Sequence, residues 1–351
     1  MRTLINVAVA LSVLLGLGAS ALYYTEAGQN WLLKQGAIAQ VGRAFKPIDG
    51  LSVLVCGSAS PLGNDVARAQ ACIAVVTPEH FFIFDVGARA PLRVIQAQLP
   101  LDRLDGVFLT HFHSDHITGI ADINLGSWVQ GRREPLTIYG PTGVARVVAG
   151  FNQAYGLDRG YRIAHHGEAL LPPRAGPMQA QGFAKPGTVW ADDKLTIRAF
   201  TVSHPPIEPA VGYRIDYAGR SVVISGDSNV SDNLFEVAEG ADLVLHDALS
   251  RPLLDQMIAL GSELDVPFGP QLMTDIIDYH ADTLSLAQRA QTANIGQLAL
   301  YHLVPAPESA LAKRIFRRGL PENILLTVDL QRFDLRSEER RVGKECRSRW
   351  S

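Results

Sequence analysis

Short apolar runs broken by turns dominate the chain from residue 51 to residue 330. Runs at 51–56, 72–76, 81–85, 106–110, 136–139, 195–202, 211–217, 221–225, 243–245, 298–302 and 324–330 are three to eight residues long, which suits strands better than helices. Helical spacing is confined to 91–98, 142–155, 230–238, 284–293 and 309–318, the last two flanking the run at 298–302. Many strands, interspersed helices and little strict βαβ alternation predict an α+β fold of two packed sheets with helices outside, not a doubly wound sheet. The stretch 151–190, rich in Gly, Pro and Ala, shows no convincing element and is expected to be an irregular, substrate-facing insertion. No internal repeat is evident.

The two ends differ from this body. Arg2 precedes an apolar run at 4–24, and helical character follows at 27–46. A positive residue before about 20 apolar ones is an export signal, and Ala19-Ser20-Ala21 offers small residues for cleavage. Retained, the same run would anchor the chain in the inner membrane. The expected organisation is a signal peptide or anchor at 1–24, a linker or helix at 25–50 and the folded body at 51–335, placed in the periplasm or another extracytoplasmic space. Residues 336–351, RSEERRVGKECRSRWS, resemble the translation of a sequencing-library adapter and are set aside as a non-native tail.

Charge and cysteines narrow the picture. Hydrophobic residues make up 47% of the chain and charged ones 19%, enough apolar material for a real core. The net charge is −3, and the tail's six Lys/Arg against three Glu leave −6 for the rest, so no basic surface stands ready for a polyphosphate backbone. Outside the tail only Cys56 and Cys72 remain, on two candidate strands and without histidines at ligand spacing. In an oxidising compartment they are expected to form a disulfide.

The strongest chemical signal follows the run at 106–110. His111, His113, Asp115 and His116 crowd into six positions of a chain that holds ten histidines in all. Neutral imidazole and carboxylate are zinc ligands, and a loop leaving a strand end can turn His111 and His113 to one metal while Asp115 and His116 face another.

This HxHxDH motif resembles that of the metallo-β-lactamase fold family, in which the halves of a four-layer αββα sandwich meet at a dinuclear site. The remaining ligands should then end later apolar runs, and His204, Asp227 and His302 do so. The resemblance implies two Zn2+ per chain, one on His111, His113 and His204, the other on Asp115, His116 and His302, with Asp227 between them. It is closest to the ribonuclease Z and arylsulfatase branch, through CGSASPLG at Cys56, FDVG around Asp85, SGDS around Asp227, LVLHDA at Leu243 and YHADT at Tyr279.

By that resemblance Asp85 is a structural acid beneath the metal loop, and His246 with Asp247 stands in place of a His-Glu pair. His280 lies beside the scissile group and stabilises the transition state or the leaving group; the alternative is that it caps the following helix. His80, His165 and His166 receive no role. The implied reaction is hydrolysis of a phosphodiester or sulfate ester by a metal-bridging hydroxide that Asp115 orients.

Long-form members of the branch insert a tRNA-gripping arm between the positions matching His204 and Asp227, where this chain has only 22 residues. A small ester or phosphodiester is therefore expected as substrate, and tRNA is not. Two other readings stay open. A lactonase or β-lactamase-type hydrolase is disfavoured by YHADT and LVLHDA, and a non-catalytic metal-binding scaffold by the complete ligand set. A homo-oligomer is compatible with the sequence, as is membrane attachment through residues 4–24.

Overall fold

The structure, a computed structural model, describes residues 2–41, 45–62 and 67–336, so the expected tail from 337 onward lies outside the described residues. Two compact units divide the chain near residue 46. The first holds α1 (Arg2–Tyr24) and α2 (Glu26–Val41), joined at Thr25, whose backbone N–H donates to the carbonyl of Ala21 at 3.2 Å. Among the described residues no helix is long and apolar enough to cross a membrane.

The second unit runs β1 (Gly50–Gly57), β2 (Cys72–Val76), β3 (Phe81–Phe84), α3 (Ala90–Gln96), β4 (Gly106–Phe108), α4 (Ser114–Ile117), α5 (Ile120–Val129) and β5 (Leu136–Pro141). After these come α6 (Val144–Ala154), α7 (Gly156–His166), β6 (Met178–Phe183), β7 (Gly187–Ala191), β8 (Leu195–Thr201), β9 (Val211–Tyr217), β10 (Arg220–Ile224), α8 (Asp232–Val237) and β11 (Leu243–Leu249). The remaining elements are α9 (Arg251–Glu263), α10 (Gly269–Asp275), α11 (Thr283–Gln291), β12 (Gln297–Val304), α12 (Ala310–Phe316), β13 (Leu325–Leu326) and β14 (Arg332–Arg336).

Seven strands form one sheet in the order β14-β1-β2-β3-β4-β5-β6, and seven form the other in the order β13-β12-β11-β10-β9-β8-β7. Each sheet is antiparallel on one side and parallel on the other, β3 to β6 in the first and β10 to β13 in the second. The runs that read as continuously apolar, β1, β2, β3, β10 and β11, are buried along their whole length. That is the pattern of strands covered on both faces.

Between the sheets the core joins Val53, Ile73, Phe84 and Phe108 to Ile197, Tyr213, Ile224 and Leu245. A second cluster lies under α8, α11 and α12, where Phe235, Leu286 and Phe316 cover Val223, Val244 and Leu300. On the first sheet α6 packs against β5 and β6. Helices outside two packed sheets give the expected α+β sandwich. Cys56 and Cys72 are disulfide-bonded with Cα atoms 4.9 Å apart, tying the end of β1 to the start of β2. Closing a loop of this length restricts the unfolded chain by about 3 kcal/mol.

One expectation needs correction. Residues 151–190 are not an irregular insertion, because α6 runs to Ala154 and α7, β6 and β7 follow it. No residue of α7 is buried, and β6 and β7 are the outer strands of their sheets with mostly exposed side chains, so neither carries the apolar period that betrays a core element. At the other end β14 takes in Arg336, one residue past the expected limit of the body, by pairing it with Gly50.

Candidate metal centre

Segments from four strands, β4, β8, β10 and β12, converge at one edge of the sandwich. β4 leads into His111, His113, Asp115 and His116, β8 ends just before His204, β10 just before Asp227, and His302 lies within β12. Local geometry aims each of them. Gly226 adopts φ 64°, and a Cβ there would lie 2.8 Å from that of Thr110, so the turn that presents Asp227 admits only glycine comfortably. His302 is the extra residue where the β11–β12 register shifts, and its φ is 44°. A bulge of this kind re-aims a side chain at the cost of local backbone strain.

The side chains fall into two groups whose candidate ligand atoms all lie within 4.8 Å of one another. One is His111, His113, His204 and Asp227, the other Asp115, His116, Asp227 and His302. Asp227 belongs to both, with Oδ2 at 3.8 Å from His111 Nε2, 3.9 Å from His204 Nε2 and 3.3 Å from His116 Nε2. All but His113 are buried.

Neighbours fix the imidazoles from behind. Asp85, at φ 56°, accepts from the backbone N–H and hydroxyl of Thr110 and from His116 Nδ1, each at 2.8 Å. The Thr110 hydroxyl lies 3.1 Å from His111 Nδ1, and His204 Nδ1 donates to the carbonyl of Tyr279 at 2.8 Å. Tyr213, which the sequence does not single out, supports the loop by donating its hydroxyl to Leu109 O at 2.6 Å.

What these contacts leave over is the test of a metal. Nε2 of His111, His116 and His204, Nδ1 of His302 and Oδ1 of Asp227 are buried without a hydrogen-bond partner among the described residues. One such atom costs about 1–3 kcal/mol, so five gathered around one carboxylate need a compensating group. Imidazole nitrogen and carboxylate oxygen are the donor set of zinc, and the residues fit a pair of such cations.

The titration behaviour says the same. Burial lowers His111 and His204 from the ordinary histidine range, which keeps both imidazoles neutral. Burial also opposes charge on His116 and His302, yet Asp227 and Asp115 outweigh it and raise both. Asp115 and Asp227 stay ionised well below the usual carboxylate range, against burial, because His116 and His302 face them. The carboxylates that favour charge on these two imidazoles are the ones a bound cation would balance.

His280 sits at the rim of this cluster, its ring centroid 5.4 Å from that of His302 and 5.5 Å from that of His204. Its Nδ1 is 2.9 Å from Asp247 Oδ2, while His246 Nδ1 is 3.0 Å from Asp247 Oδ1. The cap of α11 is Asp282, which accepts from Ser285 N, so His280 does not cap that helix. The three histidines without an expected role stay apart. His80 bridges Asp105 and Asp192, and His165 and His166 are exposed at the end of α7.

A family model described as a beta-lactamase superfamily domain matches residues 83–302. The chain is similar to the ribonuclease Z of Mycobacterium bovis (strain BCG / Pasteur 1173P2), with 35% identity over 259 residues that cover 73% of this chain and 87% of that one. It superposes on the metallo-beta-lactamase fold protein YhfI from Bacillus subtilis with a TM-score of 0.57 at 18% identity, covering 82% of this chain and all 100% of that one. For human tRNase Z, short form, the TM-score is 0.56 at 18% identity, with 81% and 98% covered. At such identity the likeness speaks for the fold alone.

Proposed function

The chain belongs to the β-lactamase superfamily, a family of metal-dependent hydrolases, and from that premise we propose that it hydrolyses small phosphodiesters or sulfate esters with two zinc ions in the cradle around Asp227. The observation that carries the reading is the set of five buried ligand-type atoms without partners, centred on one carboxylate shared by two groups. His111, His113 and His204 would hold one ion, Asp115, His116 and His302 the other, and Asp227 both. Bound there, the ions supply positive charge that eases loss of a proton from water and draws in the oxygens of an ester.

The chain's own residues do the rest. Asp115, whose Oδ2 accepts from His302 Nε2 at 3.0 Å, is held in place to orient the attacking water. That water adds its oxygen to phosphorus or sulfur, the ester bond to the departing oxygen breaks, and the departing oxygen needs a proton. His280 is the donor. With Nδ1 held by Asp247 Oδ2 at 2.9 Å, its Nε2 is the nitrogen left to give a proton.

A small ester is favoured over tRNA by the short path between two ligands. The 22 residues between His204 and Asp227 are used up by a loop and the β9–β10 hairpin, and the net charge is −3. Export is a separate part of the reading, supported by Arg2 with the apolar run at 4–24 and by the Cys56–Cys72 disulfide. Cell fractionation checks it, and protein confined to the cytosol with free thiols refutes it.

The central test is elemental analysis of purified protein never exposed to chelator, followed by a chromogenic panel of phosphodiester, phosphomonoester, sulfate and lactone substrates. Close to two zinc-class ions per chain and turnover of a diester or sulfate are expected. One ion or none, or activity confined to the lactone, sinks the reading. Efficient cleavage of a precursor tRNA overturns the small-ester part.

A further inference from the structure

Beside the cradle lies a cavity of about 710 Å³ with His204 in its wall, within the range that holds a small organic molecule. It bridges both sheets. One wall comes from the end of β5 and the turn from β6 to β7, the other from the loop that joins β8 to β9. Its chemistry differs from that of the cradle. Pro141, Phe183, Pro186, Ile207, Pro209 and Val211 line it, and the charged residues of the lining are Lys185 and Glu208, one of each sign.

Three physical points narrow the occupant. Prolines hold these walls without the entropy a flexible wall loses on binding, so the concavity is largely preformed. Phe183 and Ile207 are only half-buried, which leaves apolar surface for a ligand to cover. A nucleic-acid strand asks for a row of cations and stacking platforms, whereas here a single lysine is balanced by a glutamate. A compact hydrophilic ester would leave the apolar wall in water.

We propose that this cleft receives the organic group of the substrate and that the group is apolar and uncharged, an alkyl chain or aryl ring, while the ester's anionic head lies at the cradle. Phe183 and Ile207 determine this preference. The inference rests on the metal-dependent hydrolase reading and names its substrate class.

Alkylphosphonates test it, because each carries one anionic head and one organic group. Titration calorimetry of the zinc-loaded full chain should show hexylphosphonate binding at least about tenfold more tightly than methylphosphonate, five added methylenes being partly covered. In Ile207→Ser and Phe183→Ser that ratio should fall toward one, with methylphosphonate affinity in the same sample reporting that the fold and cradle survive. Equal binding of the two phosphonates by the parent overturns the proposal alone, and so does a ratio unchanged in both variants. A thymidine oligonucleotide bound more tightly than hexylphosphonate does the same. If neither phosphonate binds, the hydrolase reading falls with it.

Discussion

Two carboxylate–imidazole pairs, one in each half of the sandwich, differ in outcome although they are built alike. Asp85, at the end of β3, holds His116 Nδ1 at 2.8 Å, and Asp247, within β11, holds His280 Nδ1 at 2.9 Å. Both carboxylates are buried. The difference lies in the second nitrogen. His116 is fully buried and its Nε2 has no hydrogen-bond partner among the described residues, facing Asp227 at 3.3 Å and Asp115 at 3.5 Å, whereas His280 keeps 7% exposure at the rim. His280, Asp247, Asp227 and His302 also gather closely, yet the first two already satisfy each other without a cation. On the proposed reading the same supporting bond would serve a ligand in one histidine and a proton donor in the other, with the surroundings of the second nitrogen deciding which.

The comparison breaks most visibly when a ligand itself goes. His111→Ala should remove metal and abolish activity together, read by elemental analysis alongside turnover, and a variant that keeps two ions and parental rates places the centre elsewhere. His280→Ala should keep both ions and the parental melting temperature while turnover falls by roughly 10² to 10⁴-fold, the range for losing one acid or oxyanion donor. Loss of zinc in that variant would falsify its role as a non-ligand. Asp247→Asn should act in the same direction and less, by about 10 to 10²-fold in kcat with zinc retained, because its carboxylate reaches the reaction through His280 Nδ1, its other bonds going to His246 and to the backbone N–H groups of Ser228 and Ala281.

How much of this was legible in the sequence follows the same division between the halves. The first sheet contributes four ligand-type residues within six positions after one strand, a signal that needs no fold to be seen. The second contributes His204 and Asp227 just after strand ends and His302 from a bulge within β12, spread over 99 residues (204–302), so they became findable only through the architecture that the motif resembles. Tyr213 and the carbonyl of Tyr279 carry no sequence signature, because a hydroxyl supporting a loop or a carbonyl fixing an imidazole depends on tertiary approach alone. The cleft wall was hidden for another reason. β6 and β7 are exposed outer strands, and Pro-rich loops show no period, so the region read as irregular although it is ordered.

The smallest expected effect on turnover is the sharpest test of the two pairs. Asp85 makes three hydrogen bonds, two to Thr110 and one to His116. Asn is nearly isosteric with Asp and tolerates the positive φ of 56° found here, so Asp85→Asn should fold. Its amide has one acceptor oxygen where the carboxylate had two, which sets an N–H donor either against the Thr110 backbone N–H, in place of Oδ1, or against both the Thr110 hydroxyl and His116 Nδ1, in place of Oδ2. In the first arrangement the ligand loop loses a backbone bond, and in the second His116 loses the partner that fixes its tautomer and raises its basicity as a ligand. Zinc affinity, measured by chelator competition, should fall by about 10 to 100-fold, and kcat at saturating zinc should stay within a few-fold of the parent. Asp247→Asn should give the reverse, with affinity kept and kcat lowered. If Asp85→Asn instead lowers kcat at saturating zinc as far as Asp247→Asn does while binding zinc like the parent, the two carboxylates do one job, and the assignment of one pair to the metal and the other to the proton fails.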